Sequence, residues 1–266
     1  MTQIQAPQRR TAPTELVGAV LAVCAALVLS GCAEPRQEPA PDYPSAPDQR
    51  LPEAAAPAAE PEPGQPWAPI AELADEAWLE AVSERTGIPP RALAAYTGAA
   101  LLVSETRPEC GLGWNTLAGI GQVESQHGTY AGAQVESDGQ VSPAIIGLPL
   151  DGAPGLAEIP DTDGGTLDGD PEWDRAVGPM QFIPATWALY AQDGSRSGVS
   201  DPHQFDDAAL TAAVYLCESG GDLTSDEGWV AAVVAYNQSA VYVNDVAGHA
   251  QDYVSPGEPS AADSSY

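Results

Sequence analysis

One carboxylate sits in an apolar helical pattern. In the stretch WNTLAGIGQVESQHGTY, residues 114–130, Leu117, Ile120, Gly121 and Val123 recur at helical spacing, which predicts a helix with one face turned inward. Glu124 lies seven residues after Leu117 and four after Ile120, so it falls on that apolar side. Taking a carboxylate out of water favours its protonated form. A carboxyl held protonated near neutral pH can serve as a general acid. His127-Gly128 is expected to close the helix, with Gly128 as its left-handed cap. The competing explanations are a surface glutamate, or a core glutamate paired with an arginine, because unpaired glutamates are rarely fully buried.

The elements that must position Glu124 are mostly helical. Ile70, Leu73, Ala77, Trp78, Ala81 and Val82 keep helical spacing up to Gly87. Pro89-Pro90 can open a helix over 91–106 with Leu93, Tyr96, Ala100 and Leu101 on one stripe. Residues 131–174 read as an irregular insert rich in Gly, Pro and Asp, and loops this long inside a domain are often functional. A short helix follows over 185–191. Asp206 or Asp207 can cap a helix running through Ala212, Tyr215 and Leu216 and stopped by Gly220-Gly221. Two more helices are expected over 229–237 and 241–253. No strand pattern and no internal repeat is visible. The fold class is all-α, mainly helical, over residues 67–254, with the long insert beside the Glu124 helix.

The chain has 266 residues and a formal net charge of -29, and all nine basic residues are arginine. Such a chain repels DNA, RNA and anionic lipid, so nucleic acid is not an expected partner. Arg9 and Arg10 precede an apolar run over 16–29 that suits the h-region of a signal peptide better than a membrane span. The run ends in Leu29-Ser30-Gly31-Cys32, which resembles a bacterial lipobox. Residues 1–31 then leave as a lipoprotein signal, and Cys32 carries a lipid that anchors the chain to the outer face of the cell membrane. Residues 32–66, rich in Pro, Ala and Glu, read as an extended linker that cannot bury a core, and 255–266 as a disordered polar tail. With Cys24 in the signal and Cys32 lipidated, Cys110 and Cys217 remain in an exported domain. They are expected to pair as one disulfide, worth about 3–5 kcal/mol, the alternative being two buried free thiols.

Three islands stand in order along the chain: Gly121-Gln122-Val123-Glu124-Ser125-Gln126-His127-Gly128, then Gly178-Pro179-Met180-Gln181-Phe182-Ile183-Pro184-Ala185-Thr186-Trp187, then Ala235-Tyr236-Asn237. This ordered set resembles the lysozyme-like lytic transglycosylases, and the fuller second string is most similar to the membrane-bound B-type lytic murein transglycosylases of actinobacteria. The resemblance covers about residues 114–253, with weaker support back to 67. It implies a lysozyme-like fold and cleavage of peptidoglycan glycan strands between N-acetylmuramic acid and N-acetylglucosamine, with a 1,6-anhydro sugar as product. On that resemblance Glu124 matches the single catalytic acid, Ser125 the residue beside it, Gln181 a glutamine that hydrogen-bonds sugar, and Tyr236 and Asn237 a pair that approaches acid and substrate from a later helix. The competing explanations are an asparagine capping a helix end for Asn237 and a tyrosine packed in the core for Tyr236, and for Tyr236 the two readings are compatible. Two rivals stay open: a goose-type-lysozyme-like muramidase, in which water attacks, and a non-catalytic peptidoglycan-binding lipoprotein.

No cofactor is required by this chemistry, but an acidic run over 161–170 invites calcium on Asp161, Asp163, Asp168 and Asp170, and the B-type relatives can carry a calcium loop. An EF-hand loop wants glycine at its sixth position and glutamate at its twelfth. Counting from Asp161 these are Thr166 and Glu172, so the glycine is misplaced and a solvated acidic loop is the alternative. His127, His203 and His249 lack the spacing of a zinc site.

Overall fold

The computed structural model describes residues 42–52 and 68–255. The signal segment, Cys32, most of the linker and residues 256–266 lie outside the described residues. Seven α-helices run through them: α1 (Glu76–Thr86), α2 (Pro90–Thr106), α3 (Trp114–Ser125), α4 (Pro184–Tyr190), α5 (Phe205–Gly220), α6 (Asp226–Tyr236) and α7 (Ala240–Asp252). No helix among the described residues is long and apolar enough to cross a membrane.

The mainly helical class holds, and the insert differs from its reading as featureless loop. Between α3 and α4 lie β1 (Gln134–Val135), β2 (Val141–Ser142), β3 (Ile146–Pro149) and β4 (Arg175–Val177). They form two antiparallel pairs, β1 with β2 and β3 with β4, with Val135 opposite Val141 and Ile146 opposite Val177. Strands of two to four residues are too short to print an alternating pattern, which is why none is visible in the sequence.

Two caps also fall elsewhere than expected. Helix α3 is closed by Gln126, at φ 51° and ψ 50°, so the left-handed turn starts two residues before Gly128. Helix α5 is capped by Gln204, whose side chain accepts from the amides of Asp206 and Asp207, not by either aspartate. Asp206 instead takes a two-pronged ion pair from Arg91 of α2, with both N–O distances 2.7 Å. The same guanidinium donates to the carbonyls of Ser137 and Asp138, which clamps the insert to α2 and α5.

The core lies where α2 packs on α5 and α3 on α7. Phe205, Leu117 and Met180 are fully buried there, each worth about 1.5–3 kcal/mol of transfer free energy. Helices α3 and α7 cross closely because Gly119 has no side chain. A Cβ there would stand 2.7 Å from the Val246 carbonyl oxygen. That close crossing brings the α7 face that carries Tyr242 against the end of α3.

Cys110 and Cys217 form a disulfide, with Cα atoms 5.3 Å apart, that ties the turn before α3 to the end of α5. Part of the expected linker is laid on the domain rather than extended away from it. In residues 42–52, the Gln49 side chain accepts from the amide of Gly113 and the hydroxyl of Thr116, and at the start of α3 the Arg50 amide donates to the Asn115 side chain while its carbonyl accepts from the Trp114 amide. Buried Asn115 supplies the reason, since its side chain finds its partners in the Asp48 and Ala250 carbonyls and the Arg50 amide.

Candidate functional site

Glu124 is the second-last residue of α3, where the helix runs out against α7 and the β3–β4 wall. It is half-buried, and Tyr242 of α7 donates its phenol to Oε1 at 2.5 Å. None of the ion pairs among the described residues includes Glu124, so it is not a core carboxylate neutralised by arginine. Burial pushes its pKa up to about 7, and the Tyr242 hydrogen bond opposes part of that rise. At neutral pH both protonation states are then populated, the condition for one group to give a proton and later take one.

The three sequence islands meet at this point through two hydrogen bonds. The Ser125 hydroxyl donates to the Pro179 carbonyl at 2.6 Å, and the Tyr236 phenol donates to the Met180 carbonyl at 2.8 Å. Consecutive carbonyls of one turn are therefore held by α3 on one side and α6 on the other. The turn is closed by the Gln181 amide on the Gly178 carbonyl and by paired backbone bonds between Val177 and Phe182. Gly178 takes φ 77° and packs directly on the Pro202 carbonyl, a place no side chain fits. Gln181, at φ 49°, lies at the turn's open end with its Nε2 on the Gly178 carbonyl.

The five residues singled out around the acid thus divide by role. Glu124 and Gln181 line both of two adjoining cavities, one of about 550 Å³ and one of about 700 Å³, and stand where the two meet. Ser125 is buried, and its oxygen both donates to Pro179 and accepts from the Gly128 amide, so its work is to hold the turn. Tyr236 lines the smaller cavity, with its hydroxyl given to the turn. Burial and the charge of Glu124 raise its pKa well above the usual phenol value, which keeps it a donor. Asn237 is exposed at the end of α6, lines the same cavity, and accepts the Ser239 amide on its side chain.

Two residues were missed. Tyr242 sits in a helix expected only as a packing element, and nothing in its spacing marks it as a partner of Glu124, 118 positions away. Asp245, one turn further along α7, lines the larger cavity together with Glu124 and His249. It is an exposed carboxylate between Asn244 and Val246 with no motif around it, so sequence offers no signal for it. Ile146 and Leu148 of β3, both exposed, add an apolar lip to the same cavity.

The acidic run does not converge on one point. Oxygens of Asp161, Asp163 and Asp174 approach within 4.8 Å of one another, while Asp168 and Asp170 turn to Arg175. The Asp161 carboxylate accepts the amides of Asp163, Gly164 and Gly165. Asp163 accepts those of Thr166 and Leu167, and Asp174 is occupied by the amide and hydroxyl of Thr162. The carboxylates of Asp161, Asp163 and Asp174 thus form one group, with Asp174 in the place expected of Asp168 and Asp170.

Compared with known protein families, with curated proteins and with solved structures, the chain matches none.

Proposed function

We propose that the chain is a peptidoglycan lytic transglycosylase with a lysozyme-like helical domain. The observation that carries the reading is a desolvated carboxyl, without a cationic partner among the described residues, at the meeting of two cavities and held there by the same three islands that carry the family resemblance. Protonated Glu124 gives its proton to the glycosidic oxygen, and the bond from that oxygen to the muramoyl C1 breaks. The carboxylate left behind takes the proton of the muramoyl C6 hydroxyl, whose oxygen bonds to C1. Glu124 ends protonated, as it began, so one carboxyl serves both halves, unlike paired-carboxylate glycosidases. The Gln181 amide, able to donate and accept, suits an acetamido group at the cleavage point. The neutral Tyr242 phenol keeps Oε1 oriented throughout.

A hydrolytic reading has one specific observation in its favour, the Asp245 carboxylate in the larger cavity, which could activate a water. Mass analysis of the fragments released from purified peptidoglycan separates the two. Transglycosylation gives muramoyl ends one water lighter than hydrolysis and resistant to borohydride. Reducible ends would replace the first reading with the second, and no release at all would leave a glycan-binding lipoprotein. We also propose that a lipid on Cys32 tethers the domain to the outer face of the membrane, and Cys32→Ala should move the protein to the soluble fraction.

A further inference from the structure

His127 follows Glu124 by three residues, is buried, and lines neither of the two cavities. Its backbone belongs to a run of left-handed residues that stops α3: Gln126 at φ 51°, His127 at φ 57° and Gly128 at φ 80°. Two consecutive residues with side chains in that region cost energy, and such a turn persists only where its surroundings hold it. The turn folds back on α3, with the His127 amide on the Gly121 carbonyl at 2.9 Å and the Gly128 amide on the Ser125 hydroxyl at 2.8 Å. The imidazole is gripped on both edges. Its Nδ1 lies 3.1 Å from the Tyr96 hydroxyl of α2, and its Nε2 3.0 Å from the hydroxyl of Tyr253, which follows α7. A neutral imidazole donates at one nitrogen and accepts at the other, and a phenol does either, so both contacts are made at once.

Helices α3 and α7 are thereby joined on both sides of their crossing. Tyr242 reaches Glu124, Tyr253 reaches His127, and the two tyrosines stand about three turns apart. Val246 and Ala250, which meet Gly119 where the helices cross, lie between them. Tyr96 adds a third hold, since its hydroxyl packs directly on Gly121, where no side chain fits. Tyr253 is itself fixed, by Arg85 of α1 on its carbonyl at 2.8 Å and by the Trp114 ring stacked at 6.4 Å. One joint alone would leave the end of α3 free to turn about the Gly119 contact; two do not.

We propose that His127 is a positioning residue for Glu124: by bridging Tyr96 and Tyr253 it holds the left-handed turn after α3, and so sets how deep the acid sits and whether it meets Tyr242. This role rests on the reading of Glu124 as the acid, and it can be tested without the cleavage reaction. Charge does not carry the effect. Burial, and then nearby His249, lower the His127 pKa from 6.5 to about 3, so the ring is neutral wherever Glu124 titrates. The groups that face Glu124 are Tyr242 of α7, Tyr236 of α6, and Asp245 and His249 on the cavity wall. Those around the imidazole are Tyr96, Tyr253 and His249. All of them are kept when His127 alone is changed.

The test follows the Glu124 side-chain carboxyl by NMR in the purified full chain, ¹³C-labelled at glutamate and assigned by its loss in Glu124→Gln. In His127→Phe, which fills the space without either hydrogen bond, the titration midpoint should fall from about 7 towards 4.5 as water reaches the acid. Tyr253→Phe should move it the same way, and the double variant no further than the larger single change, since both cut the same link. His127→Asn, which tolerates the left-handed backbone but is too short to span both phenols, should fall between wild type and His127→Phe. Val214→Ala, a buried change on α5 outside both joints, should leave the midpoint in place and so separates positioning from lost stability. On glycan strands His127→Phe should lower kcat about tenfold or more with KM within about threefold. An unmoved midpoint in folded His127→Phe and Tyr253→Phe variants, or an equal shift in Val214→Ala, would overturn the proposal. A moved midpoint in a chain that cleaves no glycan would uphold this role and remove the transglycosylase reading alone.

Discussion

Tyr242 donates its phenol to Glu124 across the α3–α7 crossing, and the two residues pull the acid in opposite directions. Burial favours the neutral carboxyl, whereas a donor on Oε1 favours the carboxylate, and burial is the larger. The phenol itself stays neutral because burial and the nearby Glu124 charge raise its pKa well above the usual value. Tyr242→Phe removes only the opposing contribution, so the Glu124 pKa should rise above about 7. The alkaline limb of kcat/KM should then move to higher pH, with a smaller change at its plateau. A limb that stays put would mean that Tyr242 does not govern the ionisation of Glu124.

Ser125 and Tyr236 hold neighbouring carbonyls of one turn, so their effects should be coupled. Loss of either hydroxyl leaves a carbonyl short of a partner, worth about 1–3 kcal/mol where it is buried. Under the proposed glycan cleavage, Ser125→Ala and Tyr236→Phe should each loosen Gln181 and raise KM more than they lower kcat, because both hydroxyls are given to carbonyls of the turn. The double variant should lose less than the sum of the two, since the turn is already released by the first change. Strict additivity in kcat/KM would argue that the two hydroxyls act on separate structures.

Stability should depend on pH through two buried groups of opposite sign. The folded-state pKa of Glu124 is raised from 4.5 to about 7, so the native state holds its proton more tightly and loses stability as pH rises through that window. His127 sits between Tyr96 and Tyr253, 3.1 and 3.0 Å from their hydroxyls, and its pKa is lowered from 6.5 to about 3, first by burial and then by His249. Its contribution is full above 6.5 and is lost as pH falls towards 3. Glu124→Gln should therefore stabilise the protein above neutral pH, by at most about 3 kcal/mol, and make no difference below pH 4.5. Both proteins should share the same acid limb. Denaturant melts across this range read both effects, and equal stability of variant and wild type at pH 8 would contradict the burial of Glu124.

How much of this was legible beforehand depended on the distance over which each feature is encoded. Helices α2 and α3 announce themselves because a run of inward positions repeats within the element. Glu124 is legible for the same reason, since Leu117 and Ile120 fix the face on which it lies. The Cys110–Cys217 pair is legible by counting. Caps were less so: Gln204 takes the Asp206 and Asp207 amides, while the Asp206 carboxylate is engaged by Arg91 of α2. The short strands, Tyr242 and Asp245 were not legible, since each acquires meaning from a partner far along the chain. Residues 42–52 misled for the opposite reason: a proline-rich composition favours an extended chain, and an extended chain can still be bound by the polar side chains of Gln49 and Asn115.

Under the proposed glycan cleavage, the roles of Glu124 and Asp245 separate transglycosylation from hydrolysis. Both line the larger cavity, but only Glu124 also lines the smaller one and carries a pKa raised to about 7. If the muramoyl C6 hydroxyl is the nucleophile, a second carboxylate has nothing to activate. Glu124→Gln keeps the shape and the hydrogen bond from Tyr242 while it can neither give nor take the proton. Losing a general acid–base group typically lowers rate by about 10²–10⁴-fold, so cleavage should nearly vanish while glycan binding survives. Asp245→Asn should leave the rate within about threefold of wild type and leave the released ends non-reducible, because an exposed carboxylate on the cavity rim contributes little beyond local charge. If instead water attacks, Asp245→Asn should fall by a factor comparable to that of Glu124→Gln, and the wild-type ends should be reducible by borohydride. Purified glycan strands, with turnover and end-group chemistry followed in the same digest, separate these outcomes. Full activity of Glu124→Gln would remove the acid from the mechanism altogether.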